Sequence, residues 1–153
     1  PGLDLLMVDR WAPARPGDPD WEVDEEGARA RPEDRRWHKT VALRNTAFAA
    51  RRRTVLEADS AEGAAGFADS SLDFVFIDAS HLYQAVLDDL RAWAPKVRPG
   101  GAMTGDDIDR PATATTPSAK FWDVRGALVA FAEETGPIDL WIGPDCIWGY
   151  RKG

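Results

Sequence analysis

Five aspartates and one histidine carry most of the chemistry this sequence could do. Asp9 closes the apolar run 3–8, and Asp59 closes the stretch 53–58. Asp78 closes 72–77, and the pair Asp106, Asp107 closes 102–104. Apolar strands have no structural need for carboxylates at one end only. Four such strands in succession therefore mark an edge where polar ligands bind, as happens at the carboxyl ends of open parallel sheets. A carboxylate accepts hydrogen bonds from ribose hydroxyls and offers hard oxygens to a divalent cation such as Mg2+. Asp9 either opens the loop behind it or holds ribose hydroxyls. Asp59 either caps a short helix together with Ser60 or lies near an adenine. Asp106 and Asp107 either form an Asx turn or converge with Asp78 on a divalent cation. His81, three residues past Asp78, either orients the next helix or serves as a general base or pocket wall, its ordinary pKa suiting proton transfer near neutrality.

These residues need strands to present them and helices to pack behind. The short, nearly continuous apolar runs at 3–8 and 72–77 read as buried parallel strands. Stretch 53–58 reads as a second strand, followed by a short helix at 61–67. Val86, Leu90, Trp93 and Val97 are spaced four, three and four apart, which keeps one face of a helix over 83–97 apolar. Helices are also expected at 34–52, through Trp37, Val41, Leu43, Ala47 and Phe48, and at 119–134, through Phe121, Val124, Leu128 and Phe131. Pro99-Gly100-Gly101 reads as a turn before a short strand at 102–104. The stretches 138–142 and 146–150 flank Gly143-Pro144-Asp145, too close for anything but an antiparallel pair. Strand–helix alternation closed by such a pair predicts an α/β fold: a Rossmann-like, doubly wound, mostly parallel sheet with a C-terminal antiparallel strand pair. The Pro-rich, acid-rich stretch 12–35 and the Pro/Thr/Ala-rich stretch 108–118 read as loops over the active site.

The 153 residues suit a single domain, 1–153, and 44% hydrophobic residues suit a packed core. A net charge of −7 disfavours nucleic acid and anionic membrane surfaces as partners. The cluster Arg51-Arg52-Arg53 is expected to serve the carbonyl end of the preceding helix. The single cysteine, Cys146, has no internal disulfide partner, and no leader or membrane span is read, so the expected location is cytoplasmic.

The segment SLDFVFIDASHLYQAVLDDLRAWAPKVRPGGAMTGDDID resembles the fourth through fifth strands of class I S-adenosylmethionine-dependent methyltransferases. It looks most like the small-molecule O-methyltransferases, with D-F-V-F-I-D-x-x-H-x-Y-x-x-V-x-x-D-L, then P-G-G and an acidic motif. LEADSAEGAAGFADSSLDFVFID matches the segment before it, and LDLLMVDRW looks like the second strand with its ribose-binding acid. The likeness covers 3–11 and 36–151. It implies that Asp9 holds the cofactor ribose, that Asp59 and Ser60 flank the adenine, and that Asp78 borders the cofactor as well. It also implies that Asp78, Asp106 and Asp107 match the Mg2+ positions of the metal-dependent members, with His81 or an aspartate taking the acceptor's proton.

The family's first strand and glycine-rich loop would precede Leu3, so the domain is expected to be N-terminally incomplete. Its unpaired strands would then pair with each other or recruit a second copy, giving a homo-oligomer. The expected partner is otherwise a small-molecule acceptor. Two rival readings remain at this stage: a remnant acting as a binding or assembly module, and a nicotinamide-dependent oxidoreductase, which shares Asp9 but accounts for neither Asp106-Asp107 nor the terminal strand pair.

Overall fold

A computed structural model describes residues 2–18, 21, 30–109 and 123–153. The chain divides into two compact units, 1–63 and 64–153.

In the first unit, β1 (Leu5–Asp9) lies parallel to β2 (Arg53–Glu57), with Leu5 opposite Arg53 and Asp9 opposite Glu57. The connection includes helix α1 (Pro32–Asn45), which takes up the last four residues of the expected 12–35 loop. Pro32 suits the first helical position, where its missing N–H costs nothing. Arg31 and Asp34 close a reciprocal cap around that start, and the Arg31 guanidinium holds the Asp34 carboxyl down to about 2. The expected helix over 34–52 is interrupted at Thr46, whose hydroxyl donates back to the Ala42 carbonyl, 2.7 Å away. A 3-10 segment, Ala47–Arg52, continues the chain. No residue of α1 is buried, and Trp37 and Phe48 are 63% and 81% exposed, so the expected apolar side is not a covered one. Arg53 donates to the Leu43 carbonyl and the Thr46 hydroxyl, both at 2.6 Å, the helix-end role expected of the arginine cluster. Helix α2 (Ser60–Ala64) follows β2.

The second unit is a four-stranded sheet in the order β3–β4–β6–β5. Strand β3 (Leu72–Ile77) runs parallel to β4 (Val97–Gly105), while β5 (Trp141–Ile142) and β6 (Trp148–Arg151) add the antiparallel pair expected from the sequence. Helix α3 (Tyr83–Trp93) buries Val86, Leu90 and Trp93, as their spacing requires, and packs against α4 (Val124–Thr135). Arg91 on α3 grips Glu134 on α4. Helix α4 buries Val124, Leu128 and Phe131, and its first N–H groups meet Asp123, whose carboxylate accepts from Gly126 N at 2.8 Å.

Three expectations change in this unit. The 83–97 helix ends at Trp93, and after the 3-10 turn Ala94–Lys96, Val97 already starts β4. Proline at 95 prevents a regular continuation. Pro99-Gly100-Gly101 is not a separate turn, because β4 runs through it with a register shift opposite 72–74. Gly100 takes φ +75°, a conformation that costs glycine little, and this lets the strand bulge and go on. Strand β3 is also not buried on both faces: Val75 and Ile77 are covered, while Phe74 and Phe76 are 54% and 46% exposed. It is an edge strand, and β1 belongs to a separate two-stranded sheet, so the pairing expected between 3–8 and 72–77 does not form among the described residues.

Two side chains tie the end of the chain to this core. Lys152 Nζ donates to the carbonyls of Val97, Ala94 and Pro95 at 2.7, 3.0 and 3.3 Å. Tyr150 is 4% exposed, and burial pushes its phenol up to about 12, so it stays neutral across physiological pH. Among the described residues no helix is long and apolar enough to cross a membrane.

Candidate functional site

The carboxyl ends of β3 and β4 meet through a short set of contacts. The Ile77 carbonyl accepts from Asp106 N at 3.2 Å, holding the two strand ends together. Beyond β3 the chain turns through Asp78, Ala79, Ser80 and His81 before α3 begins at Tyr83. The His81 carbonyl accepts from Asp123 N at 3.0 Å, so this turn is pinned to the residue that caps α4.

Beyond β4, Asp106 Oδ1 accepts from Asp107 N at 2.7 Å, and Asp107 sits at φ +57°. A short polar side chain such as aspartate's eases this left-handed backbone. This backbone turns Asp107 inward. Asp107 is 8% exposed, and its Oδ2 lies 3.2 Å from His81 Nε2. Asp78 Oδ1 lies farther from the same nitrogen, at 4.0 Å, on a side chain that is 59% exposed. Ile77, Ser80, His81, Asp106, Val124 and Trp148 are among the residues lining a small concavity here.

The concavity has a rigid floor. The Trp148 indole N–H donates to the Asp106 carbonyl at 3.1 Å, and the residue is 1% exposed. Its ring lies so close to Gly105 that a Cβ there would stand 2.4 Å from Cζ2. Glycine at the end of β4 is therefore a condition of this packing. Ile108 N donates to the Cys146 carbonyl at 3.1 Å and fixes the chain just past the two aspartates.

The three-carboxylate metal site expected from the sequence is not shown by these groups. Among the described residues no set of three or more His, Cys, Asp and Glu side chains is arranged to hold a metal ion. The physical reason lies in the turn. Asp106 Oδ1 is engaged by the Asp107 amide, and Asp107 Oδ2 lies beside the imidazole.

In the first unit, Asp9 ends β1 and Asp59 follows β2. Asp9 Oδ1 accepts from Trp11 N at 2.5 Å, and the Asp9 carbonyl accepts from Ala58 N at 3.3 Å. Trp11 adopts φ +49°, a strained conformation for a bulky residue of the kind that collects at binding sites. The residue between them, Arg10, places Nη1 2.7 Å from Asp18 Oδ2 and 3.3 Å from Asp59 Oδ1. The Arg15 amide, and after it the Arg10 guanidinium, hold the Asp18 carboxyl below its usual value. Ser60 is the first residue of α2, and Gly63 N donates to the Asp59 carbonyl at 2.8 Å.

Sequence reasoning singled out His81 and Asp107 but did not pair them, and it passed over Arg10 and Trp148. A cation directly after a strand-ending acid was a legible signal for Arg10. Nothing local marked Trp148. The expected loop 108–118 falls outside the described residues except for 108 and 109, and of the expected loop 12–35 residues 19–20 and 22–29 fall outside them.

The comparisons follow from this geometry. A family model described as a methyltransferase domain matches residues 3–108. A search of curated proteins gives no match. Among solved structures, a protein from Corynebacterium glutamicum is 14% identical with a TM-score of 0.56, over 97% of this chain and 60% of its own. A TDP-rhamnose 3'-O-methyltransferase of calicheamicin biosynthesis is 17% identical with a TM-score of 0.54, over 97% and 58%. The O-methyltransferase NovP is 17% identical with a TM-score of 0.55, over 96% and 59%. At such identities the likeness is one of fold, the Rossmann-like α/β fold expected from the sequence. The chain spans 58–60% of the length of these structures.

Proposed function

From a chain that belongs to the methyltransferase-domain family, we propose S-adenosylmethionine-dependent methyl transfer to a hydroxyl of a small-molecule acceptor. The observation that carries the catalytic part is His81 Nε2 standing 3.2 Å from a buried Asp107 carboxylate at the ends of β3 and β4. When bound, S-adenosylmethionine supplies an electrophilic methyl group and leaves as the neutral thioether. The acceptor must lose a proton as its oxygen takes the methyl. In this reading the proton ends on His81. The resulting imidazolium would have the Asp107 carboxylate beside it. Trp148 and Asp123 hold the two strand ends so that the pair is preorganised.

For the cofactor, Asp9 has one oxygen engaged by the Trp11 amide, which orients the carboxylate and leaves Oδ2 to accept from ribose hydroxyls. Asp59 and Ser60 are assigned to the adenine.

Calorimetry with S-adenosylmethionine and S-adenosylhomocysteine tests the assignment. Both ligands should bind, and Asp9→Ala should weaken both by roughly 5- to 30-fold, the equivalent of about 1–2 kcal/mol for one or two lost hydrogen bonds to a charged group. Binding of NAD in place of these ligands would overturn it.

A further inference from the structure

Arg10 has no role in the reading above, yet it joins the ends of two strands. It immediately follows the acid that ends β1, and its guanidinium reaches across to the acid that follows β2. The span is short because β1 and β2 are parallel and in register, with Asp9 opposite Glu57. One nitrogen, Nη1, serves both Asp18 Oδ2 at 2.7 Å and Asp59 Oδ1 at 3.3 Å. The Arg10 side chain is 26% exposed and that of Asp18 25%, so the tighter half of the bridge is partly sheltered. Asp59 is 55% exposed, and without Arg10 nothing in this ion-pair set would fix its carboxylate. A guanidinium is a rigid planar fork, and holding it at Asp18 fixes the point from which it engages Asp59.

We infer that Arg10 is a positioning residue for base selectivity, in that it anchors Asp59 Oδ1 and so aims the remaining carboxylate oxygen as a fixed acceptor. This rests on the proposed assignment of Asp59 to the adenine. An ionised carboxylate can only accept, so the ligand atom facing it must donate. The exocyclic amino group of adenine donates. The oxo group of hypoxanthine at the same position can only accept, and would meet the carboxylate as acceptor against acceptor. A freely rotating carboxylate on an exposed side chain would discriminate weakly, because it could swing away from the wrong base. A tethered one would not.

The measurement is the affinity ratio between S-adenosylhomocysteine and its hypoxanthine counterpart, S-inosylhomocysteine, by calorimetry on the protein and four variants. The unsubstituted protein should prefer adenine by about tenfold or more. Arg10→Ala and Arg10→Lys should bring the ratio below about threefold, the lysine retaining charge but carrying it on a shorter side chain that does not reach both carboxylates from one point. Asp9→Ala should weaken both ligands by the same factor and leave the ratio alone. Asp59→Asn, which offers an N–H, should raise the affinity for the hypoxanthine compound relative to adenine. Arg10 is at the surface, so both of its variants should fold, and thermal unfolding by circular dichroism checks this. If both keep the original ratio, with or without a general loss of affinity, the positioning role is overturned while the cofactor assignment stands. If S-adenosylhomocysteine binds but Asp59→Asn does not move the ratio, the Asp59 assignment falls, and Arg10 with it. If S-adenosylhomocysteine does not bind at all, the proposed function itself fails.

Discussion

Replacing His81 with alanine is expected to lower methyl transfer by about two to three orders of magnitude, the usual range for a general base. The affinity for S-adenosylhomocysteine should stay within about twofold, since the assigned ribose and adenine contacts are elsewhere. Asp107→Asn should act in the same direction but more mildly. It removes the charge beside Nε2 while keeping a polar side chain of nearly the same size in a site that is 8% exposed. The pH–rate profile separates the two roles. A general base gives the profile a rising limb with pH, and that limb should be lost in His81→Ala. A merely structural His81 would give an alanine variant with a lower melting temperature but near-normal turnover per folded molecule. Single-turnover kinetics on that variant would show it, and would end the case for the His81–Asp107 pair.

The second large effect is on folding. Trp148→Ala should destabilise the second unit by about 3–5 kcal/mol through lost burial and the cavity left behind. The Asp106 carbonyl, which accepts from the indole at 3.1 Å, also loses its donor, adding about 1 kcal/mol. Against a typical total of about 5–15 kcal/mol, that is a large share. Trp148→Phe keeps much of the ring but not the N–H and should cost less than half as much. Gly105→Ala approaches the same contact from the other side. Its Cβ would lie 2.4 Å from the Trp148 ring and 2.7 Å from the Ile77 carbonyl oxygen, and the latter is backbone that cannot step aside. A cost of about 1–3 kcal/mol is expected. Urea unfolding followed by far-ultraviolet circular dichroism reads all three, and a Trp148→Ala midpoint close to the unsubstituted one would show that the ring is not the keystone described here.

The strands were legible where composition and periodicity agreed. Residues 72–77 are apolar apart from Asp73, with turn residues on either side, and β3 occupies those positions. The α3 face was readable because Val86, Leu90 and Trp93 repeat at helical spacing and are all buried. What failed to show in the sequence depended on one backbone torsion or one distant contact. The strand through Pro99-Gly100-Gly101 exists because Gly100 adopts positive φ inside a bulge, whereas the same tripeptide usually signals a stop. The α1 break depends on Thr46 bonding back to Ala42, and threonine also occurs inside helices. At the site, residue types gave the carboxylates but not their directions. Two adjacent aspartates suggested a shared cation, yet Asp106 accepts from the next residue's amide and Asp107 lies beside His81. Arg10 was missed because its partners, Asp18 and Asp59, lie 8 and 49 residues away in sequence.

The edge position of β3 should leave a signature in amide hydrogen exchange. In a parallel ladder the N–H and C=O of one residue point to the same neighbour, and successive residues alternate between neighbours. The Ile77 carbonyl is bonded to Asp106 N in the β4 direction, so Val75 and Ile77 address β4 and Phe74 and Phe76 address the open edge. The first two amides should exchange slowly, near the rate set by unfolding of the unit. The other two should exchange orders of magnitude faster despite belonging to the same strand. Any strand that docks along that edge in the native assembly would slow Phe74 and Phe76 alone, turning the alternation into uniform protection.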